Sequence, residues 1–439
     1  MLKNEILPIT PARPGISSLG NPPRSWASFF CSLNFLLSLV GYGLTMALLA
    51  PLGADVDTSL GENIYFTYPY RAFQLSVSIL ALYMVRNRPL PRIDFKLLLI
   101  ATYWLFYFAR AFWDLFINTS HHASSVLYVL CYIIVDFLPL LAIMKGWDQI
   151  NFTRVRKWIL VLGFIGLLFC LRNMQSQIQA SWTGDIGRVA ATAMLHTQAL
   201  GTFGTSIAIV AFFSFFSERK IIWRLFSLFV FFLGVYMMLK AGSRGPFFGL
   251  FISIATWLSC RKKNMIFVVL TASIFFIFCL LLQDQIMDLV SKISPTMAHR
   301  AQLTLSEGDT SGRNLLWEEF FIEIKANPIF GYKLDRFGSP HSMIFDGFMM
   351  FGIFGGWIVS AMIALGCLSV IKGFRSGRKE SWWMMLLLLT LSQAFTGGQT
   401  SSCILQVPLL LIFILDGNGL LGKALTPNFR TKRNYDQKN

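Results

Sequence analysis

The sequence predicts an all-α fold: a polytopic integral membrane protein of about 12 transmembrane helices, with one larger outer loop containing an amphipathic helix. Three observations predict it. Hydrophobic residues make up 55% of the 439-residue chain and charged residues 14%, against roughly 25% charged in soluble domains. Apolar segments recur from end to end, many close to the about 20 residues a spanning helix needs. The connectors between them alternate between basic and acidic or neutral.

The apolar segments fall at 27–50, 71–85, 97–117, 125–144, 158–173, 191–216, 221–239, 246–260, 265–283, 345–371, 382–397 and 403–421. The polar tail at 1–26 lacks the early apolar stretch and small-residue cleavage site of a signal peptide. The first segment is therefore expected to act as an uncleaved anchor. Basic clusters lie at 85–96, 145–157, 217–224, 261–264 and 372–380, each after an even-numbered segment, and a basic tail ends the sequence. The connectors "GADVDTSLGEN", "NTSHHASS" and "TGGQTSS" are acidic or neutral. The positive-inside rule reads this as twelve spans with both termini cytoplasmic. It also accounts for the formal charge of +16 without nucleic acid. The expected organisation is a cytoplasmic tail (1–26), spans one to nine (27–283), an outer loop (284–344), spans ten to twelve (345–421) and a basic cytoplasmic tail (422–439). Cys31, Cys131, Cys170, Cys260, Cys279, Cys367 and Cys403 are scattered with no CxxC pair, which reads as packing and not as a disulfide or metal framework.

Positive charge on the outer connectors runs against the topological bias and asks for another reason. In "MLKAGSRGPFFGLF" (238–251) a span ends at Lys240, a glycine-rich turn carries Arg244, and Pro246 opens the next helix. Proline suits the first helical turn. The unpaired N–H groups of a helix start, with Arg244 and Lys240 beside them, make an anion site, because an arginine fork matches phosphate oxygens. The span that follows is short, so the sequence predicts a funnel dipping inward. The competing reading is an arginine snorkelling to lipid headgroups.

In the outer loop, "TSGRNLLWEEFFIEIKANPIFGYK" predicts an amphipathic helix capped by Thr310 or Ser311 and stopped at Asn327-Pro328. Leu316, Trp317, Phe320, Phe321 and Ile324 form its apolar side; Glu318, Glu319, Glu323 and Lys325 form the wet one. Arg313 opens this helix, where the macrodipole disfavours a cation, so an external anion or a surface pair with Glu307 or Asp309 is expected. Arg188 lies at the outer end of another span. Arg110 and Asp114, spaced i and i+4, are expected to pair structurally. His341 opens the tenth span after Pro340 and is the candidate general base, with Asp335 and Asp346 in reserve. His121 and His122 make a weak metal pair. No P-loop, nucleotide fingerprint or convincing metal-ligand spacing is found, and no cofactor is expected. An outward-facing enzyme has no access to cytoplasmic nucleotide sugars, so a lipid-linked pyrophosphate sugar fits as donor.

"SGRNLLWEEFFIEIKANPIFGYKLDRF" followed by "PHSMIFDGFMMFGIFGG" resembles the hallmark region of the O-antigen ligase and polymerase superfamily, and "GSRGPFFGL" resembles its Ser-Arg-Gly motif. The sharp match covers about 240–356. The resemblance implies a bacterial inner-membrane, metal-independent, inverting glycosyltransferase with its active site facing the periplasm, so the outer loop would be periplasmic. It implies an undecaprenyl-pyrophosphate-linked glycan as donor and an acceptor glycan, both met at the membrane lipid, with a chain-length regulator and a flippase as possible partners. By position, Arg244 and Arg313 match the arginines expected to hold the pyrophosphate, and His341 matches the histidine expected to activate the acceptor hydroxyl. Arg188 lies where members often have an arginine before a Pro-Asn motif, but "LHTQALG" replaces that motif here. Ser342 replaces the usual asparagine after the histidine.

The sequence therefore points to a polymerase of O-antigen or exopolysaccharide repeat units. The alternative is the ligase that moves finished glycan onto lipid A–core in lipopolysaccharide assembly. A protein O-glycosylase is a third option, without a large extra periplasmic domain. A lipid-linked sugar transporter, from a different class, would carry charges through both membrane halves.

Overall fold

The computed structural model describes residues 24–52, 64–116, 133–173, 175–177, 188–190, 197–261, 288, 291–292, 313–331, 342–378, 380–394 and 403–421. The ninth apolar segment, 265–283, lies outside the described residues, as do both tails. The rest is helical apart from one short ribbon. Helix α1 (Arg24–Leu36) continues through a π-turn at Leu37–Gly41 into α2 (Tyr42–Leu49). Then come α3 (Ile64–Met84), α4 (Phe95–Phe116), α5 (Leu138–Gly146) and α6 (Phe152–Arg172). Strands β1 (Gln175–Gln177) and β2 (Arg188–Ala190) pair antiparallel. Helices α7 (Thr197–Ser217), α8 (Ile221–Ala241), α9 (Arg244–Arg261) and α10 (Arg313–Ala326) follow. The described helices end with α11 (Met343–Arg375), α12 (Trp382–Ser392) and α13 (Cys403–Gly417).

Among the described residues, five helical stretches are long and apolar enough to cross a membrane: Trp26–Leu49, Phe95–Asp114, Gln198–Ser217, Ile221–Ala241 and Met343–Arg375. Large apolar side chains on α3, α4, α8 and α11 face outward, among them Leu105, Phe229, Phe232 and Trp357. A band of this kind suits lipid better than water. Helix α12 is buried along nearly its whole length, as a helix apolar all round should be. It forms the axis of the bundle with α13, whose residues Leu409 to Leu415 are buried.

Glycines set the closest helix contacts. Helices α7 and α8 form an antiparallel hairpin in which a Cβ on Gly204 would meet the Gly234 carbonyl oxygen at 2.8 Å, and one on Gly234 would meet that of Gly204 at 2.7 Å. Small residues allow such approach where apolar burial alone gives little drive, as between lipid-embedded helices. Asn34, wholly buried, ties three helices: its Nδ2 donates to the Pro139 carbonyl at 3.1 Å, and its Oδ1 accepts from Ser78 Oγ at 2.9 Å. Cys31 packs against Gly146, as a packing cysteine should.

The described basic connectors converge on one end of the bundle. There Arg88 Nη1 meets Asp148 at 2.6 Å, Lys145 donates to the Arg86 carbonyl, and Arg156 pairs with Glu218 at 2.7 Å and Glu380 at 3.3 Å. Asp416, at the end of α13, receives both Lys96 of α4 and Lys372 of α11.

Candidate functional site

The tenth apolar segment is not one continuous helix. Gly352 has φ 68° and ψ −160°, a conformation open essentially to glycine alone, and it breaks α11 in two. The first half folds back on the second: a Cβ on Gly347 would meet Val359 Cγ2 at 2.8 Å, and Gly356 faces the Phe348 ring. The freed amide of Ile353 donates to the Pro328 carbonyl at 2.7 Å, so the Asn327-Pro328 turn after α10 plugs the break. Arg110 pairs with Asp114 at 3.0 Å, as the spacing predicted, and also donates to the Phe330 carbonyl. That second bond anchors the plug to α4.

Because the first half of α11 folds back, its start lies part-way down the second half and not at the extremity of the bundle. Residues 353–362 rise about 14 Å at 1.5 Å per residue, which sets the scale of the recess. Ser342 caps this start, accepting from the Phe345 amide at 3.4 Å, and is wholly buried. Its Oγ, at 3.2 Å, and the Met343 amide, at 2.8 Å, both donate to the Ala394 carbonyl just beyond α12. Ser342 thus acts as a helix cap and a tie to α12.

The same level holds the turn between α8 and α9. A Cβ on Gly249 would meet Ser392 Oγ at 2.9 Å, so the first turns of α9 sit against the last turn of α12. On the other side, a Cβ on Gly201 would meet Ser243 Cβ at 3.1 Å and Pro246 Cγ at 3.5 Å, so the turn also covers the start of α7. Arg244 begins α9 and is half-buried; Lys240, in the last turn of α8, lies over the Tyr236 ring at 5.7 Å. Gly242 ends α8 at φ 64°, a left-handed cap that reverses the chain within two residues. The start of α9, the end of α12 and the start of the first half of α11 lie close together.

Arg188 begins β2, opposite Gln177 of β1, and β2 packs against α7 and α8. Arg313 is the first residue of α10, which runs parallel to the first half of α11, with Trp317 and Phe321 edge-on to Phe345 at 5.6 and 5.1 Å. The side chains of Arg188 and Arg313 lie outside the described set. His341, Asp335, His121 and His122 lie outside the described residues altogether. The structure thus brings the turn bearing Lys240 and Arg244 together with the start of α11, and places the elements opened by Arg188 and Arg313 alongside.

Helix α10 departs from the expected faces. Phe320 is buried, but Phe321 and Ile322 are exposed, and Glu323, expected on the wet side, has a buried Oε2 with no hydrogen-bond partner. Among the described residues its main partner is the first half of α11, which leaves Phe321 and Ile322 exposed.

Two groups at the recess gain weight from the structure. Asp346, read as a reserve base, is buried one turn into α11 and its Oδ2 has no hydrogen-bond partner. Gln393, which the sequence reading passed over, is buried at the end of α12 with its Nε2 unpartnered. Buried polar atoms are satisfied in the great majority of cases, and these two unpartnered ones lie within a turn of the Ser342–Ala394 tie. No signal in the sequence singled out Gln393, which reads as an ordinary polar residue closing an apolar run.

No family model matches the chain, and no curated protein matches it either. The family resemblance therefore stands on its quoted motifs.

Proposed function

We propose that the protein is a membrane glycosyltransferase that polymerises undecaprenyl-pyrophosphate-linked repeat units of O-antigen or exopolysaccharide at the periplasmic face. The observation that supports this most is the recess, where the Arg244 turn, the start of α11 after His341, and the unpartnered Asp346 and Gln393 converge. In this reading the chain spans the bacterial inner membrane twelve times with both termini cytoplasmic, and the recess opens outward. The convergence of the basic connectors on the opposite end supports that orientation.

The acceptor hydroxyl attacks the anomeric carbon of the donor while its bond to the pyrophosphate oxygen breaks, inverting the centre. His341 takes the hydroxyl proton. Arg244 and Arg313 neutralise the charge that develops on the leaving undecaprenyl pyrophosphate, with Arg188 and Lys240 adding to the positive field. Asp346, one turn into α11, is a reserve base, as is Asp335. The donor lipid stays between helices while the acceptor enters from water.

The deciding measurement is a gel of surface and lipid-linked glycans from cells lacking the gene. A core bearing one repeat unit, with long chains lost, identifies the polymerase. Bare core with accumulated long lipid-linked chains identifies the ligase, which shares the chemistry and differs in acceptor. No change in either pool removes both and favours a transporter.

A further inference from the structure

At the end opposite the recess, a cavity of about 350 Å³ opens between α6, α7, α9 and the connector from α11 to α12. Its lining includes Arg156, Arg219, Trp257, Phe374, Arg378 and Glu380. The three arginines are not equivalent. Arg156 is committed to Glu218 and Glu380. Arg219 stands exposed at the rim. Arg378 is 8% exposed, and both of its terminal nitrogens, Nη1 and Nη2, are buried with no hydrogen-bond partner. Its guanidinium carbon lies over the Phe152 ring, 6.0 Å from the centroid.

A buried guanidinium with idle donors is a costly arrangement, because the charge has left water and gained nothing in return. Burial lowers Arg378 to about 10, which still leaves it charged near neutrality. Glu380 forms no ion pair with it: Oε1 accepts from Thr153 at 2.8 Å, and Oε2, which has no hydrogen bond, lies 3.3 Å from Arg156 Nη1. The planar fork of donors fits two oxygens of one phosphate. Trp257 closes the floor, its Nε1 donating to Ser381 Oγ at 3.1 Å, and aromatic rings from α7 and α11 form the walls.

We propose that this cavity binds a phosphate-bearing anion, with its oxygens held by Nη1 and Nη2 of Arg378 and its remaining charge faced by Arg219 at the rim. The phosphate can come from a lipid headgroup reaching in from the bilayer or from a soluble phosphate. The site lies at the far end of the helices from the recess and does not depend on the glycosyltransferase reading.

The test is thermal unfolding of the full chain, followed by tryptophan fluorescence, in wild-type and Arg378→Met proteins. One probe is phosphatidylglycerol added to phosphatidylcholine nanodiscs; the other is inorganic phosphate titrated at constant ionic strength in chloride. The wild-type midpoint should rise with the probe. Arg378→Met should unfold higher than wild type without the probe and should respond at roughly tenfold or more weaker apparent affinity. A rise with phosphatidylglycerol alone assigns a lipid headgroup; a rise with both assigns the phosphate group itself. A rise of equal size in the two proteins, or no rise in the wild type with either probe, overturns the proposal. Should Arg378→Met fail to fold, Arg219→Gln replaces it: this exposed change should weaken the response, and an unchanged response overturns the proposal.

Discussion

At the end of the bundle that carries the basic connectors, Arg156 is held by two glutamates, and Asp416 takes a lysine from each of two helices. At the recess, Asp346 is as buried as Arg156, yet its Oδ2 meets no donor, and Gln393 Nε2 meets no acceptor. Both ends bury polar groups in an apolar bundle. The first end pairs its charges across helices and uses those pairs to hold them in place, although Arg156 Nε and Glu380 Oε2 keep no hydrogen bond there. The other leaves them open and adds a broken helix, which is the pattern of a site that finishes its bonding with something brought from outside. Arg378 differs from the paired charges at the first end in that both of its terminal donors are idle, and it lines a cavity.

The sharpest way to break this contrast is at Gly352. Gly352→Val would force a side chain into the Ile329 carbonyl from a left-handed backbone. Strain and overlap together should cost on the order of 5 kcal/mol. The expected outcome is loss of monodisperse protein on size-exclusion chromatography; a normal elution and midpoint would show that the break is not required. Next comes chemistry. His341→Ala should lower transfer by about 10²–10⁴-fold while donor lipid still co-purifies. Asp346→Asn, compared in the same assay, separates the two bases: the variant with the larger loss and a displaced pH profile carries the proton. If both variants keep wild-type turnover, the recess is not the reacting site.

Arg156→Met tests the other end. It leaves Glu218 and Glu380 without their shared cation, so stability should fall by about 3–5 kcal/mol, read from denaturant or thermal unfolding in detergent, with transfer per folded molecule unchanged. Lys372→Ala should do least. Its side chain is 65% exposed and Asp416 keeps Lys96, so the change should stay within about 1 kcal/mol. A Lys372 effect as large as that of Arg156 would erase the distinction between buried and exposed pairs.

Much of the helix pattern was legible because apolar runs and basic connectors are dictated by the membrane itself. Segments at 97–117, 158–173 and 221–239 became α4, α6 and α8 with shifts of a few residues at their ends. The fold-back at Gly352 was not legible. "GFMMFGIFGG" reads as an unbroken apolar span, and only the carbonyls of Pro328 and Ile329, over twenty residues earlier in the chain, reveal why that glycine differs from its neighbours. The two ends also read alike in sequence. Arg156 and Arg378 looked like ordinary members of a topological surplus of charge, since their burial depends on α6, α7 and α12 meeting across more than two hundred residues. For the site, the Arg244 turn was readable because glycine, arginine and proline each have a local reason to be there. Gln393 had none.

The central position of α12 has a consequence for how the protein is made. Helix α12 is walled in by helices synthesised well before it, so those helices emerge from the ribosome and enter the bilayer without the axis they will later surround. Until residues 382–417 arrive, the groove meant for α12 and α13 must be filled by lipid or by the insertion machinery. Assembly is therefore committed late, and a ribosome that stalls after α11 would leave the earlier helices as an open shell exposed to membrane quality control.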